Sequence, residues 1–320
     1  MNQKYWPLIA TITVFIALFL IGGAMYKNFL STLVLGHILA DNAFIIVAAV
    51  GTTFVILSGG IDLSVGSMIG FVGVVMAVLD RSGMHPMVTI PMMLIFGFAF
   101  GAFQGFIIDF CNIQPFIMTL AGLFILRGGS FMVTLDSVPI RHPFAKMLSS
   151  TRIPLPGGGF LTATAMVMLA ALVIAIIIAH YTRFGSNVYA IGGDRESARL
   201  MGVPVRKTTV LTYATGGIYS ALAGVIYALY TSSGYPLAAT GSELNAIAAV
   251  VLGGTLLTGG VGLVAGTLFG GMILGLISTL IIFNGSLNSA WIMISSGMLL
   301  FVFIVMHRFL IGSFDLRKSS

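Results

Sequence analysis

Residues Leu57 to Gly70 read Leu-Ser-Gly-Gly-Ile-Asp-Leu-Ser-Val-Gly-Ser-Met-Ile-Gly. An apolar run enters this stretch and another leaves it. Between them stand two adjacent glycines (Gly59 and Gly60), one carboxylate (Asp62) and two serines (Ser58 and Ser64). The surrounding chain of 320 residues is 58% hydrophobic and only 8% charged. Glycine has no Cβ to clash, so Gly59-Gly60 breaks helix geometry at little cost. A carboxylate near hydrocarbon is costly unless water or a partner reaches it. The stretch therefore marks either a wet re-entrant segment or a helix break at a membrane edge.

The pattern recurs 200 residues later, where Leu257 to Gly270 read Leu-Thr-Gly-Gly-Val-Gly-Leu-Val-Ala-Gly-Thr-Leu-Phe-Gly. The register holds without a gap from Ala48-Ala49-Val50 and Ala248-Ala249-Val250 onward. Leu57, Gly59, Gly60, Leu63, Gly66 and Gly70 correspond to Leu257, Gly259, Gly260, Leu263, Gly266 and Gly270. Asp62 is not repeated; Gly262 takes its place. Paired, glycine-interrupted apolar segments in two halves of a chain point to a transport pathway. Small residues are also common wherever membrane helices touch, which is the plainer source of such a pattern.

A mean hydropathy of +1.08, with repeated apolar runs near the roughly 20 residues that cross a bilayer, reads as an all-α polytopic membrane protein. Helices are expected at Trp6–Met25, Ile38–Leu57, Ser64–Leu79, Met87–Ile108, Pro115–Thr134, Leu161–Ala179, Thr208–Tyr230, Glu243–Leu257, Val261–Phe283 and Ala290–His307, some of them broken. That makes about ten spans in a single transmembrane domain covering residues 1–320. The first run follows only Lys4 and lacks a small-residue cleavage site, so it reads as a retained helix. One cysteine, Cys111, excludes an internal disulfide.

Charge sets an orientation. With the N-terminus inside, the cytoplasmic side holds Lys4, Arg183, Arg195, Arg199, Arg206, Lys207, Arg308, Arg317 and Lys318, against Lys27, Arg81, Arg141, Lys146 and Arg152 outside. This excess favours N-in and C-in, with both glycine-pair breaks on the cytoplasmic side and the repeat parallel. It also accounts for the net charge of +6 without a nucleic-acid partner. Membrane lipid is the expected surrounding.

Two loops stand out. Residues 135–160, outside, carry Pro139, Pro143, Pro154, Pro156 and Gly157-Gly158-Gly159 and are expected to be turn-rich, with at most a short helix. This loop either docks an external partner or is a solvated connector. Residues 180–207 lie inside. There Asp194 can cap a helix that runs through Arg-Glu-Ser-Ala-Arg-Leu-Met and stops at Gly202 before Pro204. Glu196 and Arg199 are spaced to pair, and Ala198, Leu200 and Met201 give an apolar side. Such a helix either lies on the membrane surface or fits a groove in a cytoplasmic partner.

Much chemistry is absent. No glycine is followed by lysine, so there is no P-loop and no nucleotide site of that type. Gly260, Gly262 and Gly266 only loosely match a dinucleotide fingerprint, and helix packing explains them better. The five histidines lack metal-ligand spacing, and no catalytic triad is legible. The membrane carboxylates Asp41, Asp62, Asp109 and Glu243 are too sparse for the relays of a proton-coupled carrier. Arg127, the basic residue within a predicted span, is expected to snorkel or to pair locally with a carboxylate or a backbone carbonyl.

Four segments carry a resemblance: Leu57–Ser67, Phe116–Gly128, Asn187–Gly202 and Val251–Gly262. Together they resemble the permease subunits of ribose/galactose-type bacterial ABC sugar importers, from about Trp6 to His307. Ser137–Pro143 narrows the likeness to the galactofuranose type, whose importers pair two different permeases. The resemblance implies a bacterial inner-membrane subunit with about ten helices and no enzyme activity of its own. It implies an ABC ATPase that uses ATP and Mg, a second permease and a periplasmic sugar-binding protein as partners. No cofactor is expected on this chain. The coupling loop that meets the ATPase would use Gly192, Gly193, Asp194, Glu196, Ala198, Arg199, Leu200 and Gly202. Asparagine is common in the family where Asp194 stands, and both residues cap helices.

A sugar pathway between two permeases needs only weakly polar groups. Candidates for pathway or gate are Asn42, Thr52, Thr53, Ser58, Gly59, Gly60, Asp62, Ser64, Gln104 and Thr119. Two other classes stay open on the residues alone: an ion-coupled secondary sugar carrier, and an intramembrane enzyme on lipid-linked sugars with Asp62 as its carboxylate.

Overall fold

A computed structural model describes residues 6–285, 290–292, 294–299, 301–302 and 305. The elements in chain order are α1 (Trp6–Met25), α2 (Thr32–Leu57), α3 (Val65–Arg81), α4 (Pro86–Phe110), α5 (Pro115–Val133), β1 (Val138–Pro139), α6 (Pro143–Ser150), β2 (Arg152–Pro154), β3 (Phe160–Thr162), α7 (Ala163–Tyr181), α8 (Arg183–Gly193), α9 (Arg195–Leu200), α10 (Val205–Thr231), β4 (Ser233–Gly234), α11 (Ser242–Leu252) and α12 (Val264–Asn284). Seven of these helices (α1, α2, α4, α5, α7, α10 and α12) are long and apolar enough to cross a membrane. The last expected span, Ala290–His307, falls partly outside the described residues, as do Lys4, Arg308, Arg317 and Lys318 from the charge count.

Helix α10 is the axle. It packs against α4, α2 and α3, and most of its length is buried. Gly97, Gly101 and Gly105 recur every fourth residue and so form one stripe on α4. A Cβ on Gly97 or Gly101 would collide with the carbonyls of Gly217 and Tyr213, and one on Gly105 would lie 2.8 Å from the Val210 Cα. Small residues let the two backbones touch, which is how helices associate where lipid offers no hydrophobic drive. One apolar core then gathers α2, α7, α11 and α12, and a second gathers α3, α4, α5 and α10.

Around Val138–Gly159 the sequence suggested no strands, yet four short strands form among the described residues. β1 pairs antiparallel with β4, and β2 with β3 in a hairpin. Gly157 and Gly158 turn that hairpin at φ +84° and +81°. The Asp80 carboxylate holds the segment to the end of α3 by accepting from the backbone N–H of Arg141 at 2.7 Å. Arg127 acts locally: its Nη1 donates to the carbonyls of Pro236 and, at 2.9 Å, Ala238, fixing the turn before α11 against α5.

Candidate functional site: the glycine junction and the α8–α9 segment

The two repeats meet at their breaks. The backbone N–H of Gly260 donates to the Leu57 carbonyl at 2.9 Å. A Cβ built on Gly259 would lie 2.8 Å from the Gly59 nitrogen. Gly192 of α8 enters the same contact, since a Cβ there would collide with the Leu57 carbonyl oxygen and the Gly260 nitrogen. Gly59, Gly259 and Gly260 have φ of +81°, +88° and +72°, a region that costs a side chain dearly. Three glycine pairs from distant parts of the chain thus touch backbone to backbone.

The second copy differs from the first. α11 ends at Leu252, not at Leu257 as the repeat suggested. Gly253-Gly254 stands where Thr53-Phe54 continues α2, and Gly254 turns at φ +87°. The helices after the breaks start within one residue of the repeat register, at Val65 and Val264.

Asp62 is buried at 3% exposure and faces its own turn. Its Oδ1 accepts from the backbone N–H of Ser64 at 2.8 Å and from the Ser64 hydroxyl at 2.6 Å. This turn launches α3. The Ser64 hydroxyl also lies 3.4 Å from Gln104 Oε1. Gln104 Nε2 and Tyr213 Oη are buried without a hydrogen-bond partner among the described residues.

The other pathway candidates are engaged within the chain. Asn42 Nδ2 donates to the Ile38 carbonyl at 2.8 Å, while the Thr52 and Thr53 hydroxyls donate to Ala48 and Ala49 at 2.9 and 2.8 Å. Thr53 also bonds Thr267 of α12 at 2.8 Å. Ser58 donates to Val55 at 2.8 Å, and Thr119 to Pro115 at 2.9 Å and Ile61 at 3.3 Å.

In the 180–207 segment the expected Asp194-capped helix is α9. Asp194 Oδ1 accepts from Ser197 N–H at 2.6 Å, and this bond holds the carboxyl below its ordinary value. Gly202 closes the segment at φ +82°. A second helix, α8, precedes it; sequence reasoning missed it. Its Tyr189 hydroxyl donates to the Gly262 carbonyl at 2.8 Å, and burial pushes that phenol up to about 12.

Two expectations for α9 need correction. Glu196 and Arg199 are both exposed and form no ion pair; the ion pairs among the described residues are Arg195 and Arg206 with Asp109. The apolar residues do not share a face. Ala198 is buried, whereas Leu200 and Met201 are 81% and 73% exposed. Over six residues a helix turns less than twice, so Ala198 and Leu200, two apart, point to different sides.

Asp109, at the end of α4, is the anchor that the sequence did not reveal. It binds Arg195 Nη2 and, at 3.3 Å, Arg206 Nε, and Arg195 also reaches Thr209 Oγ1 at 3.3 Å. Beside α9 an open groove of about 660 Å³ runs past Tyr181, Arg183, Asn187, Met201 and Pro204.

Residues 34–304 match the family described as branched-chain amino acid transport system / permease component, and the chain belongs to that family. It is 51% identical to the inner membrane ABC transporter permease protein YjfF of Escherichia coli K12, over 100% of this chain and 97% of that protein. It is 37% identical to the ribose import permease protein RbsC of the same organism, over 82% of each chain. It is 32% identical to the fructose import permease protein FruG of Bifidobacterium longum, over 96% of this chain and 92% of that protein. No solved structure matches the chain. The chain is thus a multi-pass permease component of the inner membrane, and its relatives are transporter subunits rather than enzymes.

Proposed function

We propose that the chain is the permease of an ATP-driven importer of a monosaccharide, galactofuranose in the first instance, working with a second and different permease. The importer class is supported by relatives named for ribose, fructose and xylose. Galactofuranose is supported by the Ser137–Pro143 segment alone. With N-terminus and C-terminus inside, α8–α9 faces the cytoplasm and meets an ABC ATPase, which binds ATP and Mg; a periplasmic binding protein delivers the sugar outside.

The single observation that carries the coupling reading is the way α9 is presented. It is capped by Asp194 and seated on Ala198, and it exposes Glu196, Arg199, Leu200 and Met201 beside an open groove. Exposed leucine and methionine at a short helix suit a partner's pocket. Gly192 and Gly193 join this helix to both repeat breaks, so a push on α9 is delivered to the starts of α3 and α12. In this reading the pathway runs beside α2, α4 and α5, with Asn42, Thr52, Thr53, Gln104 and Thr119 offering hydroxyl and amide groups. The present conformation buries Thr52, Thr53, Gln104 and Thr119 and half-buries Asn42, so in this reading transport requires those helices to part.

The test is purification from the native membrane in mild detergent, with mass spectrometry of what accompanies the chain. An ATPase, a second permease and a sugar-binding protein are expected. The recovered binding protein is then titrated with galactofuranose, ribose, fructose and xylose. An ATPase without a second permease would overturn the heteromer, and preference for another sugar would overturn the cargo. Uptake that survives ATP depletion but stops with an ionophore would overturn the importer itself.

A further inference from the structure

A second concavity, of about 330 Å³, opens between the last turn of α4 and the first turns of α10. Its apolar lining is Phe106, Phe110, Val210 and Leu211, and its charged lining is Asp109, Arg206 and Lys207. Phe106 and Phe110 stack at 5.2 Å and are 50% and 66% exposed, an aromatic pair turned away from the protein. Both helices are long apolar spans, so their ends mark the border between hydrocarbon and headgroups. The cleft begins just past Gly105, where the close contact of α4 with α10 ends.

The charges do not balance. Asp109 is the carboxylate of the cleft, and it already serves both Arg195 and Arg206. Lys207 adds another cation and has no ion pair among the described residues. The cleft therefore couples an apolar wall with surplus positive charge at headgroup level. A soluble anion would leave the four apolar side chains uncovered. A zwitterionic lipid would bring its own cation against Arg206 and Lys207. A lipid with net negative charge satisfies both parts, because basic residues at a membrane surface attract anionic headgroups.

We infer that this cleft binds an anionic phospholipid, with acyl chain against Phe106, Phe110, Val210 and Leu211 and phosphate on Arg206 and Lys207. The bound phosphate then shares Arg206 with Asp109, which places the lipid one ion pair away from α9. The inference rests on the chain's place in the membrane and not on its cargo or its ATPase.

The full chain in mild detergent, offered equal amounts of phosphatidylglycerol and phosphatidylcholine, is read by native mass spectrometry. One phosphatidylglycerol per chain should be retained in several-fold preference. Lys207→Gln, which breaks no ion pair, should lower that retention roughly fivefold. Leu211→Trp fills the cleft without touching charge and should abolish it. Equal retention of the two lipids, or phosphatidylglycerol retention unchanged in both variants, would overturn the inference. Displacement of the lipid by excess inorganic phosphate would show a free-anion site and overturn it as well.

Discussion

Gly59 and Gly259, 200 residues apart in the chain, lie against one another so closely that a Cβ on Gly259 would sit 2.8 Å from the Gly59 nitrogen. The repeat is thus a contact as well as a pattern, because equivalent positions of its two copies touch. Gly259 has no room for a side chain there, and Gly59 is held to glycine by its φ of +81°. The Gly260 N–H bond to the Leu57 carbonyl joins the two breaks, and Gly192 packs α8 against both.

Substitution at Gly192 tests this junction against an internal control. A Cβ at Gly192 meets backbone atoms of Leu57 and Gly260, which cannot rotate away, while one at Gly193 meets nothing within 4 Å. Gly192→Ala should cost about 1–3 kcal/mol, the usual range for forced overpacking. Gly193→Ala should be neutral. Thermal unfolding of both variants in detergent checks the difference.

The helices were legible because apolar runs of membrane length leave little choice. The breaks were legible because glycine pairs interrupt those runs. Two other features were not. α8 was hidden because Arg183–Gly193 is polar at one end and glycine-rich at the other, and its helicity comes from Val188 and Ile191 being buried and Tyr189 reaching Gly262. Asp109 was hidden because its partner Arg195 is 86 residues away, and no local spacing relates them. The early end of α11 could have been read: Gly253-Gly254 stands in the sequence where the first copy has Thr53-Phe54.

Asp62 can be separated into its shape and its charge. Asp62→Asn keeps an oxygen for the Ser64 N–H and hydroxyl and should retain the fold and sugar uptake. Asp62→Ala leaves the buried Ser64 N–H without its acceptor and should cost about 1–3 kcal/mol. Uptake lost in Asp62→Asn with unfolding temperature unchanged would assign the charge a role in transport.

The Asp194 cap predicts a pH dependence of α9. Its carboxyl titrates below the ordinary 3.8 because the Ser197 N–H favours the charged form. A depressed folded value means the cap's stabilisation is full above the ordinary value and is lost as pH falls through the folded one. Amide exchange at Ser197 and Ala198 should therefore be slow near neutrality and speed up below about pH 4, beyond the intrinsic trend. Asp194→Asn keeps the cap and should flatten this extra dependence.

Two substitutions on α9 should separate docking from bracing. Glu196 and Arg199 are exposed and unpaired with each other, so replacing both with alanine should leave unfolding unchanged while uncoupling ATP hydrolysis from uptake. Asp109→Asn attacks the brace instead. The Asp109 side chain is 7% exposed and holds Arg195 and Arg206, so its loss frees the start of α9 and the start of α10 together. Uptake should fall and unfolding should shift modestly, by about 1 kcal/mol, as expected for ion pairs whose basic partners stay largely in water. If bracing is the cause, Arg195→Ala and Asp109→Asn combined should be no worse than Asp109→Asn alone. Additive losses would mean that Arg195 acts elsewhere, and wild-type uptake in the Glu196 and Arg199 double variant would remove α9 from the coupling path.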